Sequence, residues 1–258
     1  MNYDLLLGPF GLNLPSYLRY GKLLPDFLSM EEKEEYETNK KKLNKTWHYF
    51  NKEVSYNLNT NFYRAPEWNT VNWKESVVVF GCSHVFGEGL AQDETVCYQL
   101  QNILDRPVIN LGQSGTSTMF SWHNSIKFFE TFGVPYAVIQ LWTDYGRLLY
   151  YTESEIKRVG FWSGGRWDNY DSDMKSLYHL WNKNTVHSRT FFEFEAKACK
   201  EFWKSKTKYY QASYFKETSA SIDCDYFEKL DDARDFIHSG SLTHKKAAEI
   251  IYENSNIR

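Results

Sequence analysis

Ser83 stands two residues past Gly81 in the run Phe80-Gly81-Cys82-Ser83-His84-Val85-Phe86-Gly87-Glu88-Gly89-Leu90, just after the apolar stretch Val77 to Phe80. At such a strand-to-helix turn a serine hydroxyl stands exposed, and the backbone N–H groups of the turn point into the same cleft. That is where a nucleophile for a carbonyl carbon would sit. By itself the pattern is equally that of a serine capping the next helix. A second pair strengthens the first reading. Asp235 and His238 lie three residues apart near the C-terminus, a spacing that lets the carboxylate orient the imidazole while the imidazole takes a proton from Ser83. The plain alternative is a surface pair. Cys82, next to Ser83, reads as a small buried residue or as a competing nucleophile. His48, His84, His123, His179, His187 and His244 form no metal-ligand spacing, so neither a metal nor another cofactor is expected.

The elements that must carry these residues follow from the hydrophobic pattern. From Lys74 onward, short apolar runs ending in glycine or a polar pair (Val77 to Phe80, Val108 to Leu111, Tyr136 to Trp142) alternate with helical spacing over Glu94 to Leu104 and Thr116 to Phe132. Such a βαβαβ series predicts a doubly wound parallel sheet with its active edge at the strand C-termini. Tyr151 to Asn184 breaks the rhythm with glycines and tryptophans and reads as an aromatic insertion, at about 151–190. Arg189 to Lys206 reads as a helix, Lys208 to Phe215 as a strand and His244 to Tyr252 as a closing helix. Ahead of this domain (74–258), residues 1–73 read as a packing extension. It has a Gly- and Pro-rich arm to Leu28, then a capping box at Ser29 and Glu32 with a helix from Met30 to Phe50. A short strand at Val54, Tyr56 and Leu58 completes it.

Composition removes other classes. The chain has 258 residues, 30 Lys and Arg against 33 Asp and Glu, and a net charge of -3, which lacks the footprint of a nucleic-acid binder. No apolar run approaches the ~18 residues of a membrane span, and the N-terminus lacks the basic start of a secretory signal. These features lead to an expected cytoplasmic or virion-associated location, with no membrane partner. The four cysteines are dispersed and read as reduced thiols. Aromatic residues make 18% of the chain, so much of the core must be aromatic; some of these rings could stack on a sugar.

With these residues placed, the chain resembles the SGNH, or GDSL-like, hydrolase superfamily. The serine block is Gly81-Cys82-Ser83 with Gly87 and Gly89, the glycine block is NLGQSGTS, and the histidine block is ARDFIHSG. The run NLNTNFYR before the first strand resembles an extension of bacterial and tailed-phage members. The resemblance implies a three-layer α/β/α, flavodoxin-like fold and a metal-independent serine esterase acting on small O-acyl groups, often acetyl on a glycan. It assigns Ser83 as nucleophile, and Ser83 and Gly115 as oxyanion donors. Where the family pattern has an asparagine the chain reads Leu141-Trp142-Thr143-Asp144, so the Thr143 hydroxyl is the expected substitute. Arg147, beyond Asp144, is a candidate for an anionic group or a structural ion pair; His84, Trp142 and Trp162 complete the candidate substrate contacts. An O-acyltransferase with the same triad, or a silent binding or virion module, are the alternatives.

Overall fold

The computed structural model describes residues 33–151, 156–160 and 172–257. Its strands are β1 (Val77–Gly81), β2 (Val108–Gly112), β3 (Ala137–Trp142), β4 (Leu148–Tyr151), β5 (Ile156–Val159), β6 (Lys208–Ser213) and β7 (Asp225–Tyr226). The main sheet has the order β2-β1-β3-β6-β7, and every pairing in it is parallel. Strand order reverses at β1, which places a crevice at its C-terminal end. Gly81 pairs with Gly112 of β2 and with Leu141 of β3, so the segments after all three strands leave the sheet at one level.

Helices are α1 (Lys33–Lys40), α2 (Ser83–Phe86), α3 (Val96–Leu104), α4 (Thr118–Phe132), α5 (Ser172–Lys183), α6 (Thr185–Lys204), α7 (Lys216–Ile222) and α8 (Ser241–Asn254). They cover both faces of the sheet, and β1 shows why its residues are apolar without interruption. Side chains alternate across a strand, so Val77 and Val79 join Leu100 of α3 and Ala247 and Ile251 of α8. Val78 and Phe80 join Phe128 of α4 and Phe192 and Trp203 of α6 on the opposite face. Each such buried side chain contributes about 1.5–3 kcal/mol. The second face is where the aromatic residues went: Trp73 packs on Phe128 and Phe132, and Phe129 and Phe202 meet Trp203.

The expected alternation from β1 to α4 is present with ends shifted by one or two residues, and α6, β6 and α8 stand where the pattern placed them. Three readings need correction. The first helix ends at Lys40, well short of Phe50, and turns follow it. Val54 and Tyr56 are buried as their alternation implied, but the segment runs beside no strand and is not part of a sheet. The insertion holds regular structure: β4 and β5 pair as an antiparallel hairpin, and Leu148 and Val159 bury against Met174 of α5. The short elements α7 and β7 carry no periodic signal and were not expected. The glycine-rich arm, the capping box and Trp162 lie outside the described residues.

Arg64, which is 1% exposed, ties residues 54–64 to the loop after α2. Its guanidinium donates to the carbonyls of Gly87 (2.8 Å), Leu90 (2.8 Å), Phe86 (3.3 Å) and Ser55 (3.1 Å), and its Nε to Gln92 Oε1 (2.7 Å). Tyr56 lies under it, 4.8 Å from ring centroid to guanidinium carbon. Arg64→Met keeps the apolar stem but strands these acceptors, each costing about 1–3 kcal/mol when buried without a donor. The expected loss in urea unfolding is therefore at least about 3 kcal/mol. A variant as stable as the parent would show the loop after α2 to be held by other contacts.

Candidate active site

The short helix α2 begins at Ser83, and Cys82 is its N-cap. Ser83 is thus the first helical residue, whose N–H has no partner inside the helix. Its hydroxyl does not cap the helix: Ser83 Oγ is 2.7 Å from His238 Nε2. The start of α2 sits close against the strands because both Gly81 and Gly112 lack a side chain there. A Cβ on Gly112 would lie 2.6 Å from the Phe86 nitrogen and from Val85 Cβ.

Asp235 and His238 belong to a tight loop closed by a bridge between Asp232 and Ser239. Asp235 Oδ1 accepts from the backbone N–H groups of Ile237 (3.0 Å) and His238 (2.9 Å), which turns its other oxygen, Oδ2, onto His238 Nδ1. Between them Phe236 holds φ 60°, left-handed backbone that a bulky residue adopts only when its surroundings impose it. The Phe236 ring stacks on Trp47, 4.8 Å between centroids. The pair is buried, not a surface pair, with the Asp235 side chain at 0% exposure.

Burial works against a charged imidazole, but the Asp235 charge and hydrogen bond, joined by Glu88 and Cys82, outweigh it. The His238 pKa is pushed up to about 9, above the ordinary histidine range of about 6 to 7. Asp235, despite burial, is held below the usual carboxylate range by His238 and the two backbone N–H groups. The histidine beside them is different. His84 stacks on Tyr214 (4.8 Å) with its ring 5.0 Å from that of His238, and burial drives its pKa well down.

The other expected residues divide. Gly115, at φ +66°, sits in the turn after β2, whose Gln113 is tied by its N–H to the Gly81 carbonyl (3.0 Å) and by its amide to the Phe62 carbonyl (3.0 Å). Thr143 directly follows β3; it is 1% exposed, and its hydroxyl has no hydrogen-bond partner among the described residues. Trp142 is not a surface platform. It is 1% exposed, packed on Phe192 with Nε1 donating to Gln211 (3.3 Å), so its place is the core. Arg147 is buried, its guanidinium near the Thr116 carbonyl (3.5 Å) and the Phe215 ring (5.6 Å). Beyond it lies a crevice lined also by Tyr145, Trp181 and Glu195, the last with its pKa raised to about 7 by burial. Cys82 is buried, and no hydrogen bond joins it to His238. Among the described residues no group of three or more His, Cys, Asp or Glu could hold a metal ion, and no helix is long and apolar enough to cross a membrane.

Sequence reasoning missed the supports. Tyr56 Oη accepts from the Gly89 N–H (2.8 Å), and the Gly89 carbonyl accepts from the Arg234 N–H (3.2 Å), so the serine loop and the histidine loop touch at Gly89. A Cβ there would lie 2.8 Å from that of Ala233, and φ is +75°. The one available signal was the pair of glycines around Glu88.

Among solved structures similar to this chain is a putative lipolytic protein of the G-D-S-L family from Desulfitobacterium hafniense. It has 13% identity and a TM-score of 0.42, and the match covers 69% of this chain and 98% of that one. Another is an acetyl xylan esterase from the rumen bacterium Butyrivibrio proteoclasticus, with 9% identity, TM-score 0.43 and coverage of 71% and 64%. A third is a carbohydrate esterase family 2 enzyme with a carbohydrate-binding domain from Corynascus thermopiles, with 12% identity, TM-score 0.39 and coverage of 70% and 65%. No protein-family model and no curated protein matches the chain. At such identities and scores the neighbours leave the chemistry to this chain's own side chains.

The raised His238 pKa has a consequence for stability. Because the folded value lies above the unfolded one of about 6.5, the charged imidazole favours folding. That contribution is complete below about pH 6.5 and is lost as pH rises through about 9. Unfolding free energy measured in urea should fall across that window by about 3 kcal/mol, and His238→Gln should remove the slope. A parent slope unchanged in the variant would place the titrating group elsewhere.

Proposed function

We propose that this protein is a serine esterase that removes small O-acyl groups, acetyl on a carbohydrate being the class that the sequence blocks imply. The observation that carries the reading is the buried line from Ser83 Oγ to His238 Nε2, 2.7 Å, and from His238 Nδ1 to Asp235. It has the geometry a nucleophile, a base and an orienting carboxylate need.

In this reading Ser83 Oγ attacks the ester carbonyl carbon while its proton passes to His238 Nε2, and the carbonyl electron pair moves onto oxygen. His238 then gives the proton to the departing alcohol, leaving an acyl-serine. Water enters by the reverse of these steps: His238 takes its proton, the acid is released and Ser83 is restored. Asp235 keeps the Nδ1 proton in place, so the lone pair on Nε2 faces the serine. The oxyanion is met by the N–H groups of Ser83 and Gly115 and by the Thr143 hydroxyl. The first of these has no partner in α2, and the hydroxyl is buried without a partner among the described residues, which is the condition of a donor kept for an acceptor that arrives with the substrate.

A fluorophosphonate probe tests the reading directly. The adduct should map to Ser83 by mass spectrometry. Ser83→Ala should lose at least about 10³-fold in kcat on an activated acetyl ester while melting normally, and Cys82→Ala should retain activity. Absence of any adduct and of any turnover by the folded protein would leave the silent binding module. An acyl group found on an added sugar rather than on water would identify the transferase.

Thr143 has its own test. Thr143→Val keeps the β-branched shape but removes the donor, so kcat should fall about 10²-fold with KM little changed, and Thr143→Ser should retain most of the rate. A valine variant as fast as the parent would remove the hydroxyl from the oxyanion site.

A further inference from the structure

His238 has a second carboxylate beside it. Glu88 Oε2 lies 3.4 Å from Nε2, the ring nitrogen that faces Ser83, and the Glu88 side chain is 3% exposed. Its position is fixed by the backbone on either side. Gly87 has φ +82° and its carbonyl is held by Arg64, the Glu88 N–H donates to the Ser83 carbonyl (3.2 Å), and Gly89 is held by Tyr56 and Arg234. A glutamate between two left-handed glycines, its loop clamped from below, does not reach the imidazole by chance flexibility of a surface side chain.

We propose that Glu88 is a second counter-charge for the base: the imidazolium formed when Ser83 gives up its proton is held between two buried carboxylates, Asp235 at Nδ1 and Glu88 beside Nε2. The proposal rests on the reading of His238 as the base of Ser83. The two carboxylates differ in what they can do. Asp235 is hydrogen-bonded to Nδ1 in either protonation state and sets the tautomer. Glu88 faces the lone pair of Nε2 when the ring is neutral and gains an attractive partner only once that nitrogen carries its proton. It therefore favours the state that follows proton transfer over the state that precedes it, which is the condition for accelerating a step. The distances rank the competitors for the one hydrogen on Nε2: 2.7 Å to the serine oxygen against 3.4 Å to Glu88 leaves the proton directed at Oγ and at whatever oxygen departs from it.

The same arrangement has a cost. A counter-charge that stabilises the imidazolium in the reaction also stabilises it in the resting protein, so less neutral base is present near pH 7. The groups around the ring are Asp235 and Glu88, which favour its charge, Cys82, which favours it when ionised, and His84 and His244, which carry no charge near neutrality. Of the two carboxylates, only Glu88 can be neutralised without disturbing the tautomer.

Glu88→Gln, close in shape and uncharged, is therefore the test. The parent's kcat/KM should rise with pH along a limb well above the ordinary histidine range of about 6 to 7. The variant's limb should lie about 1 to 3 pH units lower, the shift expected on removing an opposite charge at this distance. Its plateau at high pH should be lower than the parent's, so the two profiles cross. Titration of the His238 ring by NMR in both proteins should show the same displacement independently of turnover. If the glutamine variant does not fold, Glu88→Asp, which draws the charge back by one methylene, should move the His238 titration in the same direction by a smaller amount. A titration unmoved in whichever variant folds overturns the proposal, as does a parent His238 titrating at about 6 to 7. Failure of Ser83 to react with the fluorophosphonate, with the NMR displacement intact, would instead count against the esterase reading and leave the Glu88–His238 coupling standing.

Discussion

The two halves of the site are 155 residues apart in the chain, and a hydrogen bond joins the Ser83 hydroxyl to the His238 ring. That bond depends on a backbone contact a few residues away. Gly89, at the end of the serine loop, accepts from the Arg234 N–H and lies against Ala233, immediately ahead of Asp235. A side chain at residue 89 would push the loops apart, and the imidazole would retreat from the hydroxyl with them. Arg64 and Tyr56 hold this junction from below, and Trp47 holds the histidine loop through Phe236. Residues ahead of β1 thus set the geometry of a candidate site whose side chains all lie after it. The physical reason is that an isolated loop cannot keep a left-handed phenylalanine or a row of parallel carbonyls at low energy; an aromatic face and a five-donor guanidinium can.

Electrostatics follow from the same closure. Because the loops exclude water, a carboxylate beside the imidazole counts for more than it would in solvent, and an unpartnered hydroxyl costs more. His238 is raised while His84, one ring away, is driven down by burial, because His238 faces Asp235 and Glu88 and no carboxylate among the described residues offsets the burial of His84. His244 shows the quiet case. Its Nδ1 accepts from the Val96 N–H at the start of α3 (2.9 Å), and burial depresses its pKa to about 3, so it serves as a neutral structural acceptor.

The aromatic content takes on a definite meaning in the fold. Tyr63, Trp68, Trp73, Phe128, Phe132 and Trp203 fill one face of the sheet in place of aliphatic side chains, and two of the buried polar tips pair across it, Tyr63 with Asn124 and Trp203 with Ser125. The insertion is built on the same terms at smaller scale, with its hairpin and α5 sharing a small apolar cluster and with Trp181 donating to the Tyr145 carbonyl (3.3 Å).

How much of this was legible beforehand depends on the range of the interaction. Val77 to Phe80, Val108 to Leu111 and Tyr136 to Trp142 announced a buried parallel sheet because apolar runs broken by glycine have few other uses, and helical spacing in α3, α4 and α6 is a local property. Ser83, Asp235 and His238 could be named from residue type and local spacing. The short strand at Val54 failed because alternation reports burial on one side and says nothing about a partner strand. Trp142 was misplaced because a tryptophan at a strand end can face either the crevice or the core. Arg64, Trp47, Glu88 and Gly89 were missed since their roles exist only between segments far apart in sequence. The sequence by itself determined the strands and flanking helices of the parallel sheet and which side chains are candidates for chemistry, since both follow from neighbours along the chain. Only the tertiary structure decided that Nε2 of His238 lies between a serine and a second carboxylate, because a charge acts through space, and the distance across space is set by how the loops pack.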